Sequence, residues 1–404
     1  MNKKTIQDID VAGKRVLVRV DYNVPIDENG VITDDARIRE TIPTLQHLLD
    51  AGASLILMAH FGRPKGKIEE SMRLAPVSQK LQQLLGRDVQ TARDTVGIEA
   101  TALVKALGTK QVLLLENTRF EAGEEQNDAT LSAQLASFGD VYVNDAFGAA
   151  HRAHASTEGV ARVMRSQGKP CVAGLLMARE LEFLGQLLQN PPRPFVAILG
   201  GVKVSDKIGV IRNLLPQVDT ILVGGAMAYA FEKARGSEVG TSYFKVEDAP
   251  TAAELLVLAQ EKGYDFRTPK DFLVADRDAE DAQVEYVASG SIPADKMGMD
   301  IGPKTIAEYS QIIENAKTIL WNGPMGRFEV TPFSNGTREI ARAVGRATEK
   351  GALTIIGGGD SAAAVKEMGL SDQMSHVSTG GGASLEFLEG AELPGVAALD
   401  EALR

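Results

Sequence analysis

The sequence predicts an α/β protein of two domains, each a mainly parallel sheet with helices on both faces. Three observations predict it. Short apolar runs alternate with helix-period segments along the whole chain, the pattern of parallel strands joined by covering helices. At 404 residues the chain exceeds the usual size of one domain. Near its middle, Asn190-Pro191-Pro192-Arg193-Pro194 interrupts a helix-like segment just before an apolar run, and three prolines there end a helix.

Taken in order, the strands are expected at 15–20, 54–60, 112–116, 141–144, 195–199, 220–223, 272–275, 318–321 and 353–356. Amphipathic helices are expected at 38–49, 77–85, 131–138, 208–215, 252–262 and 337–348, with 178–189 as a connector ahead of the prolines. The polar loop 64–73 reads as mobile. Near the C-terminus, LTIIGGGDSAAAV and HVSTGGGASLEFL each run from an apolar stretch through a glycine triplet into a helix-forming segment.

Composition narrows the function. A net charge of -11 leaves no general excess of basic residues, which argues against nucleic acid or an anionic membrane as partner. The single cysteine, Cys171, excludes an intrachain disulfide, suits a reducing compartment, and lies in the apolar run CVAGLL, where it reads as a packed thiol. The N-terminus lacks an apolar leader core and no apolar run is long enough to span a bilayer, so a cytoplasmic protein is expected.

In open α/β sheets, ligands bind beyond the C-terminal ends of the strands. In the first half those ends carry Asp21 and Asn23, then His60 and Arg63, then Asn117 and Arg119, then Asp145, His151, Arg152 and His154, while Arg37 follows the pair Asp34-Asp35 that can cap its helix. Guanidinium forks match phosphate and carboxylate, so Arg37, Arg63, Arg119 and Arg152 with His60, and His151 as a further candidate, predict a pocket for a small, doubly anionic ligand. His151 and His154 flank an arginine and lack supporting cysteines, which discounts zinc. In the second half, Gly200-Gly201 precede Lys203 and Lys207, which read either as polyphosphate ligands on one helix face or as a solvated face. Further strand ends carry Gly224-Gly225, Asn322-Gly323-Pro324, Glu329, and Gly357, Gly358, Gly359, Asp360 and Ser361. The glycine triplets suit anions at helix N-termini, and Asp360 beside a phosphate would hold Mg2+; the alternative is two tight turns with Asp360 as an N-cap. No GxGxxG follows a strand, which argues against a dinucleotide oxidoreductase, and no Walker P-loop occurs.

These residues together resemble one family, phosphoglycerate kinase. The stretches that carry the resemblance are RVDYNVP (19–25), ITDDARI (32–38), AHFGRPKG (59–66), ENTRF (116–120), NDAFGAAHRAHAS (144–156), ILGGVKVSDKI (198–208), LWNGPMGRFE (320–329), GGGDS (357–361) and STGGGASLE (378–386). The resemblance implies two Rossmann-like domains, a 3-phosphoglycerate-binding one at 1–175 and a nucleotide-binding one at 194–384. A connector helix and hinge at 176–193 would join them, with 385–404 returning to the N-terminal domain. It implies a monomer that transfers a phosphoryl group reversibly between MgATP and 3-phosphoglycerate, giving ADP and 1,3-bisphosphoglycerate, after hinge closure. Asp21, Asn23, Arg37, His60, Arg63, Arg119 and Arg152 would hold the phosphoglycerate. Gly200, Gly201, Lys203, Lys207, Gly224, Gly225, Asn322, Gly323, Glu329 and the 357–361 segment would serve the nucleotide, with Glu329 towards the ribose and Asp360 on the metal. Arg37, Lys203 and the amides of Gly380, Gly381 and Gly382 would act on the moving phosphoryl group. Arg327 departs from the family, which usually has a small apolar residue there, and is expected to point to solvent; Tyr22 replaces a usual phenylalanine with little consequence.

Overall fold

The computed structural model describes residues 2–402, and its backbone divides into two units, one running to Glu182 and joined by the tail from Glu392, the other comprising Phe183–Ala391. In the first unit β1 (Arg15–Val20), β2 (Ser54–Met58), β3 (Val89–Thr91), β4 (Val112–Leu114), β5 (Val141–Asp145) and β6 (Cys171–Ala173) form one sheet in the order β3-β4-β2-β1-β5-β6. Every pairing in it is parallel. Its central strands are largely apolar on both faces because helices cover both. Val16, Val18, Leu55 and Leu57 pack with Leu45, Leu48, Val77 and Leu81 of the helices Ala36–Asp50 and Ala75–Leu85. The tail completes this unit: Asp400 exchanges hydrogen bonds with the Cys171 backbone, and Leu393, Val396 and Leu399 are buried. Cys171 itself is fully buried, and burial pushes its thiol up to about 12.

The second unit contributes β7 (Phe195–Leu199), β8 (Thr220–Val223), β9 (Asp265–Arg267), β10 (Asp271–Ala275), β11 (Val284–Ala288), β12 (Met297–Ile301), β13 (Thr318–Asn322), β14 (Leu353–Gly357) and β15 (His376–Val377). Six of them make a parallel sheet in the order β15-β14-β13-β7-β8-β9. The helix Leu175–Leu188 passes from the first unit into the second, where Phe183 stacks on His376 with ring centroids 4.7 Å apart. Helix Gly382–Leu388 packs on helix Ile208–Leu214.

All nine expected strands are present, but 272–275 is not one more member of the parallel series. As β10 it is the centre of a separate antiparallel sheet, β11-β10-β12. The β10–β11 link is a short polar turn, closed by the Gln283 amide on Asp276 at 2.8 Å and by Arg277 on Asp281 at 2.8 Å, with no room for a crossover helix. The 64–73 loop makes contacts of its own. Arg73 pairs with Glu70 at 2.7 Å and Glu116 at 2.9 Å, and the Gly66 amide donates to the Arg119 carbonyl at 3.0 Å.

Trp321, the only tryptophan, lies fully buried in the core of the second unit and donates its indole N–H to the Gly323 carbonyl at 2.8 Å. Truncating a buried aromatic opens a cavity that its surroundings fill incompletely. Trp321→Ala is therefore expected to cost about 3–5 kcal/mol. Urea unfolding followed by far-ultraviolet circular dichroism measures the loss; one below about 1 kcal/mol would show that this core collapses around the gap.

Candidate functional site

In the first unit the strand ends converge as their parallel register requires. Asp21, buried just past β1, accepts from Arg37 Nη1 at 2.8 Å. Arg37 sits in the first turn of Ala36–Asp50, whose N-cap is Asp35; that carboxylate does not cap the helix but pairs with Arg39 at 2.7 Å, while Asp34 accepts from the Ala36 amide at 2.9 Å. Asn23 Oδ1 accepts from the Gly62 amide at 2.9 Å, and Arg119 Nη1 donates to the Gly62 carbonyl at 2.9 Å. Asn117 places Arg119 by accepting its amide at 3.1 Å. Asp21, Asn23, Arg37, His60 and Arg119 are thus gathered around the turn after β2, and the field of Arg63 reaches Arg119. Arg63 and Arg152 lie on exposed loop positions at this rim. Asp145 does not: it is fully buried, and its Oδ1 accepts the Met177 amide at 3.1 Å at the start of the Leu175–Leu188 helix.

Sequence reasoning missed Arg19. It is 1% exposed, donates from Nη2 to His60 Nδ1 at 3.0 Å and from Nε to Ser156 Oγ at 2.8 Å, and Ser156 in turn donates to the buried Glu124 carboxylate at 2.5 Å. Arginine has only donors, so His60 Nδ1 must accept and the imidazole proton lies on Nε2. The signal was an arginine inside the apolar run RVLVRV, since a charge at a buried strand position calls for partners.

In the second unit the turns after β7, β8 and β13 pack backbone against backbone. Gly201 donates to the Pro324 carbonyl at 3.0 Å and Gly225 to the Met325 carbonyl at 2.9 Å. Gly225 has φ +64°, and a Cβ there would lie 2.5 Å from the Gly201 nitrogen, which only glycine avoids. Lys203 and Lys207 do not share a helix face as expected, because the helix begins at Ile208. Val204 is buried, and Asp248 takes the Val204 and Ser205 amides at 3.0 and 3.3 Å, holding this loop out of the helix. Lys207 turns inward onto the Asn322 carbonyl at 2.8 Å and Oδ1 at 2.5 Å, whereas Lys203 pairs with Asp206 at 3.4 Å.

Asp360 stands exposed in the first turn of the helix Gly359–Glu367, whose N-cap is Gly358 without a side-chain bond, so it is not the cap. Ser361 Oγ accepts the Gly323 amide at 2.5 Å. Among the described residues no cluster of three His, Cys, Asp or Glu could hold a metal. Mg2+ commonly takes one or two carboxylates together with substrate phosphates, a donor set that a single exposed Asp360 at a helix N-terminus fits. A cavity of about 600 Å³ opens beside it, lined by Gly225, Tyr243, Phe244, Met299 and Glu329, apolar with a few polar groups. In the second glycine triplet Gly381 has φ +52°, and the Gly380 amide donates to the Ser378 hydroxyl at 3.1 Å.

Burial keeps His60 and His154 of the first unit neutral near pH 7 and brings Lys207 of the second into the neutral range. It drives His60 well below 6.5, aided by the charges of Arg19, Arg119 and Arg37, and His154 down to about 4; it also lowers Lys207 to about 7. The unfolded chain takes up protons on both histidines as pH falls below their ordinary value of 6.5 and the fold refuses them. The stability they contribute is therefore fully present above 6.5 and is lost as pH falls through the folded values. Each histidine should steepen the acid limb of a urea-unfolding series by up to about 1.4 kcal/mol per pH unit. His60→Gln should remove one such slope, and an unchanged limb would show that His60 already carries its proton in the fold.

Three comparisons bear on this arrangement. A family model described as phosphoglycerate kinase matches residues 6–391. Phosphoglycerate kinases of two Chloroflexus aurantiacus strains are each 54% identical to the chain over 404 residues, covering all of both sequences. Among solved structures, phosphoglycerate kinase from Coxiella burnetii aligns with a TM-score of 0.86 at 41% identity, and that from Pyrococcus horikoshii OT3 with 0.85 at 32%, each over 98% of both chains. With the rim of arginines in one unit and the glycine-lined cavity in the other, these matches establish that the chain belongs to the phosphoglycerate kinase family.

Proposed function

We propose that the two sites divide the family's reaction between them, the acid on the first unit and the nucleotide on the second. Members of this family, this chain among them, transfer a phosphoryl group reversibly between 1,3-bisphosphoglycerate and ADP and between 3-phosphoglycerate and ATP, with Mg2+, in glycolysis. The observation that carries the division is the rim of Arg37 and Arg119 around a neutral, donor-presenting His60. Two guanidiniums and an Nε2–H suit a carboxylate and a phosphate on one small molecule. Arg63, Arg152, Asp21 and Asn23 complete that site, Asp21 by holding Arg37 and Asn23 by holding the Gly62 turn.

The acceptor is a carboxylate, ionised at neutral pH, so no residue need act as general base. The chain's contribution is alignment and charge. Arg37 has five donors and spends one on Asp21. The rest can meet oxygens that gain charge during transfer. Lys203 would exchange Asp206 for a phosphoryl oxygen, and Gly380, Gly381 and Gly382 would present the start of Gly382–Leu388 to the same group. Lys207, Asn322, Gly323 and Gly357 to Ser361 would hold the phosphates, Gly200, Gly201, Gly224 and Gly225 line the floor, and Glu329 accepts from the ribose. Mg2+, held by Asp360 and the phosphates, would neutralise charge on the transferring group. The reading is completed by closure about 176–193 in a cytoplasmic monomer. No helix among the described residues is long and apolar enough to cross a membrane.

With ATP, 3-phosphoglycerate and Mg2+, hydroxylamine should trap an acyl phosphate as hydroxamate, and none should form without the metal. Arg37→Ala should lower that rate by roughly 10³-fold or more. It should also cost on the order of 1–3 kcal/mol in unfolding free energy, because Asp21 is left buried without its partner. Near-normal turnover would remove Arg37 from the chemistry. A second test uses Lys207, which is about half protonated near pH 7. A bound polyphosphate favours its charged form, so nucleotide binding near neutral pH should take up a fraction of a proton. Calorimetry in buffers of different ionisation enthalpy reads that uptake. It should fade below about pH 5, where the lysine is already charged, and vanish in Lys207→Gln; uptake that persists in the variant would place the proton elsewhere.

A further inference from the structure

Arg327 has no part in the scheme above, and the sequence left it facing solvent, yet it stands in the wall of the nucleotide cavity. Its amide donates to the Met299 carbonyl at 2.9 Å, fixing the loop after β13 against β12. Its side chain is 48% exposed but not free. Nε meets Asp278 Oδ2 at 3.2 Å and Nη1 meets Glu329 Oε1 at 3.2 Å. Asp278 belongs to the β10–β11 turn and Glu329 to the loop after β13, and both carboxylates line the cavity. The same two segments touch once more, where Glu280 accepts from the Thr331 amide at 3.2 Å. Among the described residues Glu329 has no other ion pair.

We propose that Arg327 is a positioning residue for the nucleotide: it bridges Asp278 and Glu329 across the cavity wall and so holds the Glu329 carboxylate in the orientation that receives the ribose hydroxyls. Without the guanidinium, two like charges would face one another at the entrance to a site for an anion, and the flexible Glu329 side chain would have rotamers to lose on binding. The fork of arginine can hold two carboxylates on separate edges, which the point charge of lysine cannot do. Both pairs are solvent-facing, so salt weakens the bridge. The proposal rests on Glu329 as the ribose acceptor, and the test separates the two claims.

Steady-state kinetics would compare wild type, Arg327→Val, Arg327→Lys and Glu329→Gln with ATP, 2′-deoxy-ATP and 3′-deoxy-ATP, at low and high sodium chloride. Arg327→Val should raise KM for ATP by up to about fivefold, the ceiling for an exposed ion pair, and leave KM for 3-phosphoglycerate unmoved. It should also lose much of the preference for ATP over the deoxy analogues and flatten the rise of KM with salt. Arg327→Lys should keep the salt response and lose the preference. If Glu329→Gln loses the preference while Arg327→Val retains wild-type KM and discrimination, the bridge is overturned and Glu329 stands as the ribose acceptor. If Glu329→Gln keeps the preference, Glu329 leaves the ribose site and the bridge falls with it.

Discussion

Three peptide turns of the second unit lie so close together that only a hydrogen atom fits between them, and that approach governs the candidate site there. A Cβ on Gly200 would stand 2.1 Å from the Pro324 carbonyl, and one on Gly323 would stand 2.3 Å from Gly200. Because the backbones touch, their carbonyls and amides satisfy one another and the Asn322 carbonyl lies within reach of Lys207. An ammonium buried this deeply needs such acceptors to remain in the fold at all. The rest of the site follows from that floor: Ser361 is drawn onto the Gly323 amide, and Gly359–Glu367 starts where Asp360 can stand outside it.

The first unit solves the same problem with side chains. A chain of net charge -11 must concentrate its positive charge where an anion is to bind. Here the concentration has a buried foundation, since Glu124, Ser156 and Arg19 run in a hydrogen-bonded series beneath His60. The half-buried arginines Arg37 and Arg119 are then aimed by an acid, Asp21, and by a peptide carbonyl, that of Gly62. Paired arginines of this kind arrive at the ligand with less rotamer entropy to lose than free ones.

Much of this is legible in the amino-acid sequence. Short but continuous apolar runs announced the central strands, because strands buried on both faces need unbroken apolar sequence. The edges were silent for the converse reason: Val89–Thr91 and Asp265–Arg267 are three residues each with two of them polar, and their pairing depends on neighbours far away in sequence. The antiparallel β11-β10-β12 sheet was hidden because nothing in 272–275 distinguishes it from a parallel strand; only the shortness of the following turn does. For the site, residue types at strand ends and helix starts sufficed to nominate the arginines, the glycines and Asp360. What they could not show was direction. Lys203 and Lys207 are four residues apart yet diverge, because the burial of Val204 and the grip of Asp248 decide the loop, and Arg327 turns to two carboxylates contributed by different loops.

Cys171 lies at the far end of this logic. Its thiol is fully buried, donates to the carbonyls of Ala161 at 3.4 Å and Lys169 at 3.7 Å, is pushed up to about 12, and is the only one in the chain. A thiolate is the reactive form, and near neutral pH this sulfur presents almost none of it. The protein is thereby a ready background for site-directed labelling: a single cysteine placed on any exposed position of either unit would be the one sulfur open to a maleimide, and a pair of them would carry fluorophores without first removing a native residue from the core.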